Sequence, residues 1–277
     1  MKHYLKLYLN QKKLFIFTVI IFFILLSLFF AFKDSIYKEP IYYQDYPSAG
    51  LEFFYYVHSV GQNPYHFICL LLLLPNIVSA DYLTYTQKHT TYMIETRLTQ
   101  KQFYRHTFLF NILMTFIIVF FIECLVLVVI HIFYLPIVFQ NTIYPEHYHA
   151  ITQLISSHEI INLLLFIPMT AFGYSLISAL LMTLSTWIHN VYVYRCIGVV
   201  IGIGLVLLPA FLQIYIPIDN LAYIIQIQNF VGLGIEGVID NPLGMSHVMM
   251  YILCTFIYVC VILCLAYIQE KRRAIYG

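Results

Sequence analysis

Leu14-Phe-Ile-Phe-Thr-Val-Ile-Ile-Phe-Phe-Ile-Leu-Leu-Ser-Leu-Phe-Phe-Ala-Phe32 decides the fold class of this chain. It carries no charge over a length close to the roughly 20 apolar residues that a helix needs to cross a bilayer. Lys12-Lys13 precede it and Lys33-Asp34 follow it. The run is too long for the apolar core of a secretory leader, and Phe32-Lys33-Asp34 offers no small-residue cleavage site, so it reads as an uncleaved first helix.

Working outward, five more apolar runs follow, at about 65–80, 106–134, 160–187, 196–216 and 247–268. The expected fold is therefore all-α, with six membrane-spanning helices in a single transmembrane domain over 1–277. Composition agrees. Of 277 residues 61% are hydrophobic and 10% charged, with a mean hydropathy of +0.82, whereas a soluble domain carries about 25% charged residues. Twelve of the fourteen Lys and Arg residues lie at 1–13, 81–105, Arg195 and 269–277. The positive-inside rule then places both termini and these segments in the cytoplasm. On that topology the inner side has twelve basic and three acidic residues, and the outer side two basic and nine acidic. This asymmetry supports that topology and argues against nucleic acid as a partner. The six cysteines all lie in or beside apolar runs and read as small embedded residues rather than a disulfide or zinc framework.

Two outer connections are long. The first, 33–64, is rich in Tyr and Phe (Tyr42, Tyr43, Tyr46, Phe53 to Tyr56), as expected of a segment at the headgroup level. The second, 219–246, mixes apolar residues with Gly232, Gly234, Gly237 and Pro242, and reads either as a re-entrant hairpin or as a surface helix. Gly173, Ser175, Ser178 and Ala179, and separately Gly198, Gly202 and Gly204, read as sites of close helix approach; Gly198-x-x-x-Gly202 is a packing motif in an apolar helix.

The inner segment 81–105 is the most informative polar stretch. Thr99-Gln-Lys-Gln102 has the form of a capping box ahead of the third crossing. Tyr92, Met93, Ile94 and Leu98 give an apolar patch rimmed by Glu95, Arg97 and Lys101, which suits a protein contact or a basic loop on anionic lipid. Ile94-Glu-Thr-Arg-Leu-Thr-Gln-Lys-Gln-Phe103 resembles the Ile-Leu-Thr-Arg-hydrophobic-Ser-Arg-Lys-Lys-Tyr run between the second and third helices of type-two ABC exporter permeases of low-GC Gram-positive bacteria. Thr96, Arg97, Thr99, Lys101 and Phe103 take the family's places, while Glu95 and Gln100 depart from it. Phe172-Gly173 and the turn Trp187-Ile-His-Asn190 are similar to the family's fourth helix and following loop.

The resemblance implies a permease of a bacterial cell membrane, in contact with its lipids, that pairs with itself or a related permease and docks on a cytoplasmic ABC ATPase. Coupling would run through Tyr92, Met93, Ile94, Glu95, Thr96, Arg97 and Lys101, and secondarily through Trp187, His189 and Asn190. The chain has no G-x-x-x-x-G-K-[ST] loop, so ATP and Mg would be bound by the partner and the chain itself would be no enzyme. The aromatic outer segments suit an amphipathic or lipid-like cargo, such as an antimicrobial or toxin-like peptide.

Glu123 and His131, eight residues apart on the third crossing, face one side of that helix. They read as a relay or substrate contact, or as a bundle-facing Glu123 hydrogen-bonded to a neighbouring helix. Glu146-His-Tyr-His149 with His158-Glu159 offers metal-ligand types at a spacing that fits no standard zinc motif, and helix capping is the simpler reading. His66 and His247 begin crossings and call for no special role. H-E-x-x-H and G-x-S-x-G motifs are absent from the sequence. Two other classes remain open: a membrane sensor or scaffold, and an intramembrane enzyme, which should show His, Glu or Ser converging within the bilayer.

Overall fold

A computed structural model describes residues 11–38, 49–60, 63–87, 100–140, 156, 158–185, 187–188, 190–215, 219–235 and 243–276. Among the described residues there are helices and no β-sheet. These are α1 (Gln11–Lys38), α2 (Ala49–His58), α3 (Pro64–Ile77), α4 (Ser79–Gln87), α5 (Gln100–Phe133), α6 (Glu159–Leu184), α7 (Val191–Tyr215), α8 (Asp219–Ile224), α9 (Gln228–Val231) and α10 (His247–Tyr276). Six stretches are long and apolar enough to cross a membrane: α1, α3 with α4, α5, α6, α7 and α10. The protein is a multi-pass helical membrane protein.

The six are not equivalent. The α3–α4 and α6 spans are 67% and 61% buried within the protein, against 28% or less for the other four. These two therefore form the centre, with α1 and α7 packed on α3, and α5 and α10 on α6. The outer helices turn Phe22, Leu109, Phe121, Val200, Phe211 and Ile252 outward, as bilayer-facing surfaces require.

Small residues set the closest approaches. A methyl added at Gly198 or Gly202 would run into the Leu71 backbone carbonyl or side chain, so the G-x-x-x-G motif seats α7 on α3. Gly204 meets nothing within 4 Å, so it is not part of that contact. Ser178 of α6 receives hydrogen bonds from Asn111 Nδ2 (2.9 Å) and Thr115 Oγ1 (3.1 Å) of α5. Such a clamp ties two apolar helices where no hydrophobic drive acts between them.

The bundle has a basic end and an acidic end. At the basic end Lys13 pairs with Asp81 at 2.5 Å, and Tyr104 Oη donates to Gln269 Oε1 at 2.5 Å. Tyr82, Phe103, Tyr104 and Met182 pack into a cluster beside them. The start of α1 and the last turns of α10 thus lie at the same end, with the turn before Arg195 close by: Asn76 Nδ2 donates to Arg195 O at 3.3 Å. At the acidic end Asn162 Nδ2 donates to Tyr55 Oη at 3.0 Å, and Gln140 N donates to Glu159 Oε2.

Two short segments enter the bundle from the acidic end. All ten residues of α2 are buried, which differs from the headgroup-level position expected for 33–64. Gly50 lies against the Leu135 and Pro136 carbonyls just beyond α5, and Phe53, Phe54 and Tyr55 enter the core. The same aromatic residues that suit an interface also fill a protein interior when helices surround them. Of the second segment the structure describes 219–235 and 243–246, and α8–α9 lies within the bundle, as the re-entrant reading expects. Phe230 sits against Gly173, about 21 Å along α6 from its start at 1.5 Å per residue. There the irregular backbone is satisfied by α10: Tyr258 Oη donates to Ile225 O at 3.0 Å and Cys254 Sγ to Gln226 O at 3.4 Å. Non-helical backbone is tolerated at membrane depth only when protein or water meets its hydrogen bonds, and here protein does so for these two carbonyls.

Candidate functional site

The turn between α2 and α3 builds the most concentrated group of ionisable side chains among the described residues. α2 ends at His58, and the chain reverses through Ser59 and Asn63. Ser59 N donates to Tyr56 O at 3.1 Å, Asn63 N to Ser59 O at 2.7 Å, and Asn63 Nδ2 to Val57 O at 3.3 Å. Pro64 occupies the first turn of α3, where its missing N–H costs nothing. His66 follows in the same turn. The turn thereby brings the two imidazoles together, with ring centroids 4.8 Å apart and planes at 65°.

Glu123 of α5 closes the group from the opposite side. His58 Nε2 lies 2.6 Å from Glu123 Oε2, and His66 Nε2 lies 3.4 Å from Glu123 Oε1. All three side chains are 2% exposed or less. Phe54 and Phe166 wall the site, with ring centroids 4.6 Å and 5.2 Å from that of His58.

The other nitrogen of His58 fixes its role. Nδ1 lies 2.8 Å from Phe54 O. A carbonyl only accepts, so Nδ1 carries a proton and Nε2 is the nitrogen that faces Glu123. Nε2 and a carboxylate oxygen 2.6 Å apart are two acceptors unless a proton or a cation lies between them. His66 Nδ1 is buried with no hydrogen-bond partner among the described residues.

The structure separates the expected Glu123–His131 pair. His131 is exposed, and its Nδ1 accepts from Ile137 N at 3.0 Å. Glu123 faces inward and bonds to neighbouring elements, the simpler of the two readings for it. Its partners are His58, which sequence reasoning passed over, and His66, which it took for an ordinary helix start. Of the residues expected to couple to an ATPase, Tyr92 to Arg97 and His189 lie outside the described residues, as do Thr99 and Glu146 to His149. Lys101 is exposed in the first turn of α5. Trp187 is 37% exposed beyond the end of α6. Asn190 Oδ1 caps α7 by accepting from Tyr192 N at 2.9 Å. His158 stands at the N-cap of α6 without a side-chain capping bond, and Glu159 accepts from Gln140 as described above.

A separate cavity of about 820 Å³ opens between α1, α2 and the start of α3. Phe23, Leu26, Phe30 and Ile68 line its apolar part, and Lys33, Asp34 and Asn63 its polar part. Tyr56 Oη, also on its wall, donates to Asp34 Oδ2 at 3.3 Å.

Fold and site together define a six-span membrane protein with a buried His–Glu–His group and an amphipathic cavity on one flank. Comparison with protein-family models, with curated proteins and with solved structures finds no match to this chain.

Proposed function

We propose that the chain is the membrane subunit of an ABC exporter, moving an amphipathic or lipid-like cargo outward with ATP hydrolysed by a separate cytoplasmic subunit. The observation that carries this reading is the cavity between α1, α2 and α3. Its apolar wall runs along α1 from Phe23 to Phe30, and its polar wall begins at Lys33 and Asp34. A molecule with an apolar body and a polar head matches that gradient, and the volume falls within the usual range of ligand sites. Lys101 lies in the first turn of α5 and Trp187 just beyond the end of α6, and a docking face at that end would run on in sequence from Tyr92 to Arg97 through Lys101.

The intramembrane-enzyme alternative draws support from one observation, the convergence of His58, His66 and Glu123. Against it, both carboxylate oxygens of Glu123 are engaged by the histidines, and none of the three residues lines the cavity.

The test is affinity purification of the detergent-solubilised chain from native membranes. A P-loop ATPase should co-purify, and the triple substitution Y92D, M93D and I94D should abolish its recovery while leaving the chain folded. Recovery of the chain alone, under conditions that preserve a known exporter complex, overturns the reading. Recovery of a histidine kinase instead favours a sensor.

A further inference from the structure

We propose that His58, His66 and Glu123 form a binding site for one divalent transition-metal ion of the zinc type. This inference stands apart from the exporter reading.

Three observations converge on it. The donor atoms, two imidazole nitrogens and a carboxylate, all lie within 4.8 Å of one another and are buried. Zinc binds nitrogen and oxygen at roughly 2.0–2.2 Å, which places tetrahedral donors about 3.3–3.5 Å apart. His66 Nε2 and Glu123 Oε1, at 3.4 Å, already have that separation. His58 Nε2 lies 2.6 Å from the other oxygen, Oε2, so a carboxylate held through both oxygens would complete four donors with the two imidazoles once that contact opens by under about 1 Å.

The second observation is the bond from His58 Nδ1 to Phe54 O. A metal-ligating histidine typically donates its far N–H to a carbonyl or carboxylate, which fixes the tautomer and aims the other nitrogen at the ion. His58 has this arrangement. Its Nε2 faces a carboxylate oxygen, a contact that takes a proton at the present 2.6 Å or a cation once the two atoms separate.

The third is the chemistry of the surroundings. Phe54 and Phe166 leave the carboxylate with the two imidazoles as its hydrogen-bonding partners among the described residues. Two imidazoles with one carboxylate select zinc, cobalt, nickel or iron over calcium and magnesium, which take oxygen donors. The ligands come from both sides of the α2–α3 turn and from α5, so a bound ion would cross-link the inserted α2 to the third span.

The test uses the full chain purified in detergent, stripped with a chelator and titrated with Zn²⁺ and separately with Co²⁺. The wild-type chain should hold about one ion, and Co²⁺ should give the intense visible absorption of a four-coordinate site. His66→Gln keeps the shorter His58–Glu123 contact and so should preserve the fold. It should weaken Zn²⁺ binding at least about 100-fold, the upper limit for loss of an outer hydrogen bond alone. His58→Gln should do the same, and His131→Gln, at an exposed histidine on the helix that carries Glu123, should leave binding unchanged. A wild-type chain that retains no Zn²⁺ and gives no Co²⁺ absorption overturns the proposal and leaves a proton in the contact. That measurement needs no variant to fold. Equal affinity in His66→Gln, His58→Gln and wild type overturns it as well, by placing the ion elsewhere.

Discussion

The two segments that enter from the acidic end, α2 with its turn and α8–α9, meet the same problem by opposite means. Each brings irregular backbone into an apolar bundle. The α2–α3 turn closes on itself, through Ser59 and Asn63, and then spends two side chains on Glu123. The α8–α9 segment leans on its neighbours, with Tyr258 and Cys254 of α10 satisfying its carbonyls and Gly173 of α6 making room for Phe230. The first is held by ionisable groups and the second by fit. The difference teaches where chemistry is to be sought, because only the first concentrates groups that can exchange a proton or take a ligand.

That contrast can be broken from either side. Replacing Glu123 by Ala strands two buried imidazoles and should have the largest effect, on the order of 3–5 kcal/mol, the usual result of removing one partner from a buried charged pair. Chemical unfolding of the detergent-solubilised chain measures it, and a loss below about 1 kcal/mol would mean that water reaches the site. Gly173→Ala places a methyl against the Phe230 carbonyl and should cost about 1–3 kcal/mol by overpacking, seen as a lower melting temperature. Gly204→Ala, on the open side of α7, is its matched control and should show no loss. Tyr258→Phe removes the donor to Ile225 O and should cost about 1 kcal/mol, with faster hydrogen exchange confined to α8 and α9. If that exchange instead rises through all of α10, the segment is not held by side-chain capping.

Much of the architecture was legible from apolar length and charge placement. The spans at 14–32, 160–187 and 247–268 fall on α1, α6 and α10 to within a few residues at most ends, because lipid imposes one minimum length on every crossing. The α10 helix runs on to Tyr276, past the apolar run, since a helix need not end where the bilayer does. Gly198 and Gly202 were legible as a packing face because their spacing is a property of one helix. Gly204, two residues beyond Gly202 and so about 200° round the helix, falls on the other face, and its grouping with them set residue type above periodicity.

The site was half legible. Glu123 stood out as an acid in an apolar helix, and a bond to a neighbouring helix was its simpler reading, but periodicity reports only neighbours along one element and so could name only His131. His58 and His66 lie 65 and 57 residues away and meet Glu123 only after α2 turns inward. Nothing local marks that inward turn. A stretch of Phe and Tyr has equal reason to lie at a headgroup boundary or inside a protein, and the packing of α5 and α6 around α2 decides between them.

The pairing of Lys13 with Asp81 bears on how the molecule is made. These residues are 68 positions apart, so the ribosome has finished the whole of α1 and α2 and most of the second crossing before the ion pair can close. Until then the first crossing depends on its own apolar length and flanking lysines to keep its place. Closure of the pair would then register the second crossing against the first. The order of synthesis thus ends in a contact between two charges, one at the start of the first helix and one at the close of the second.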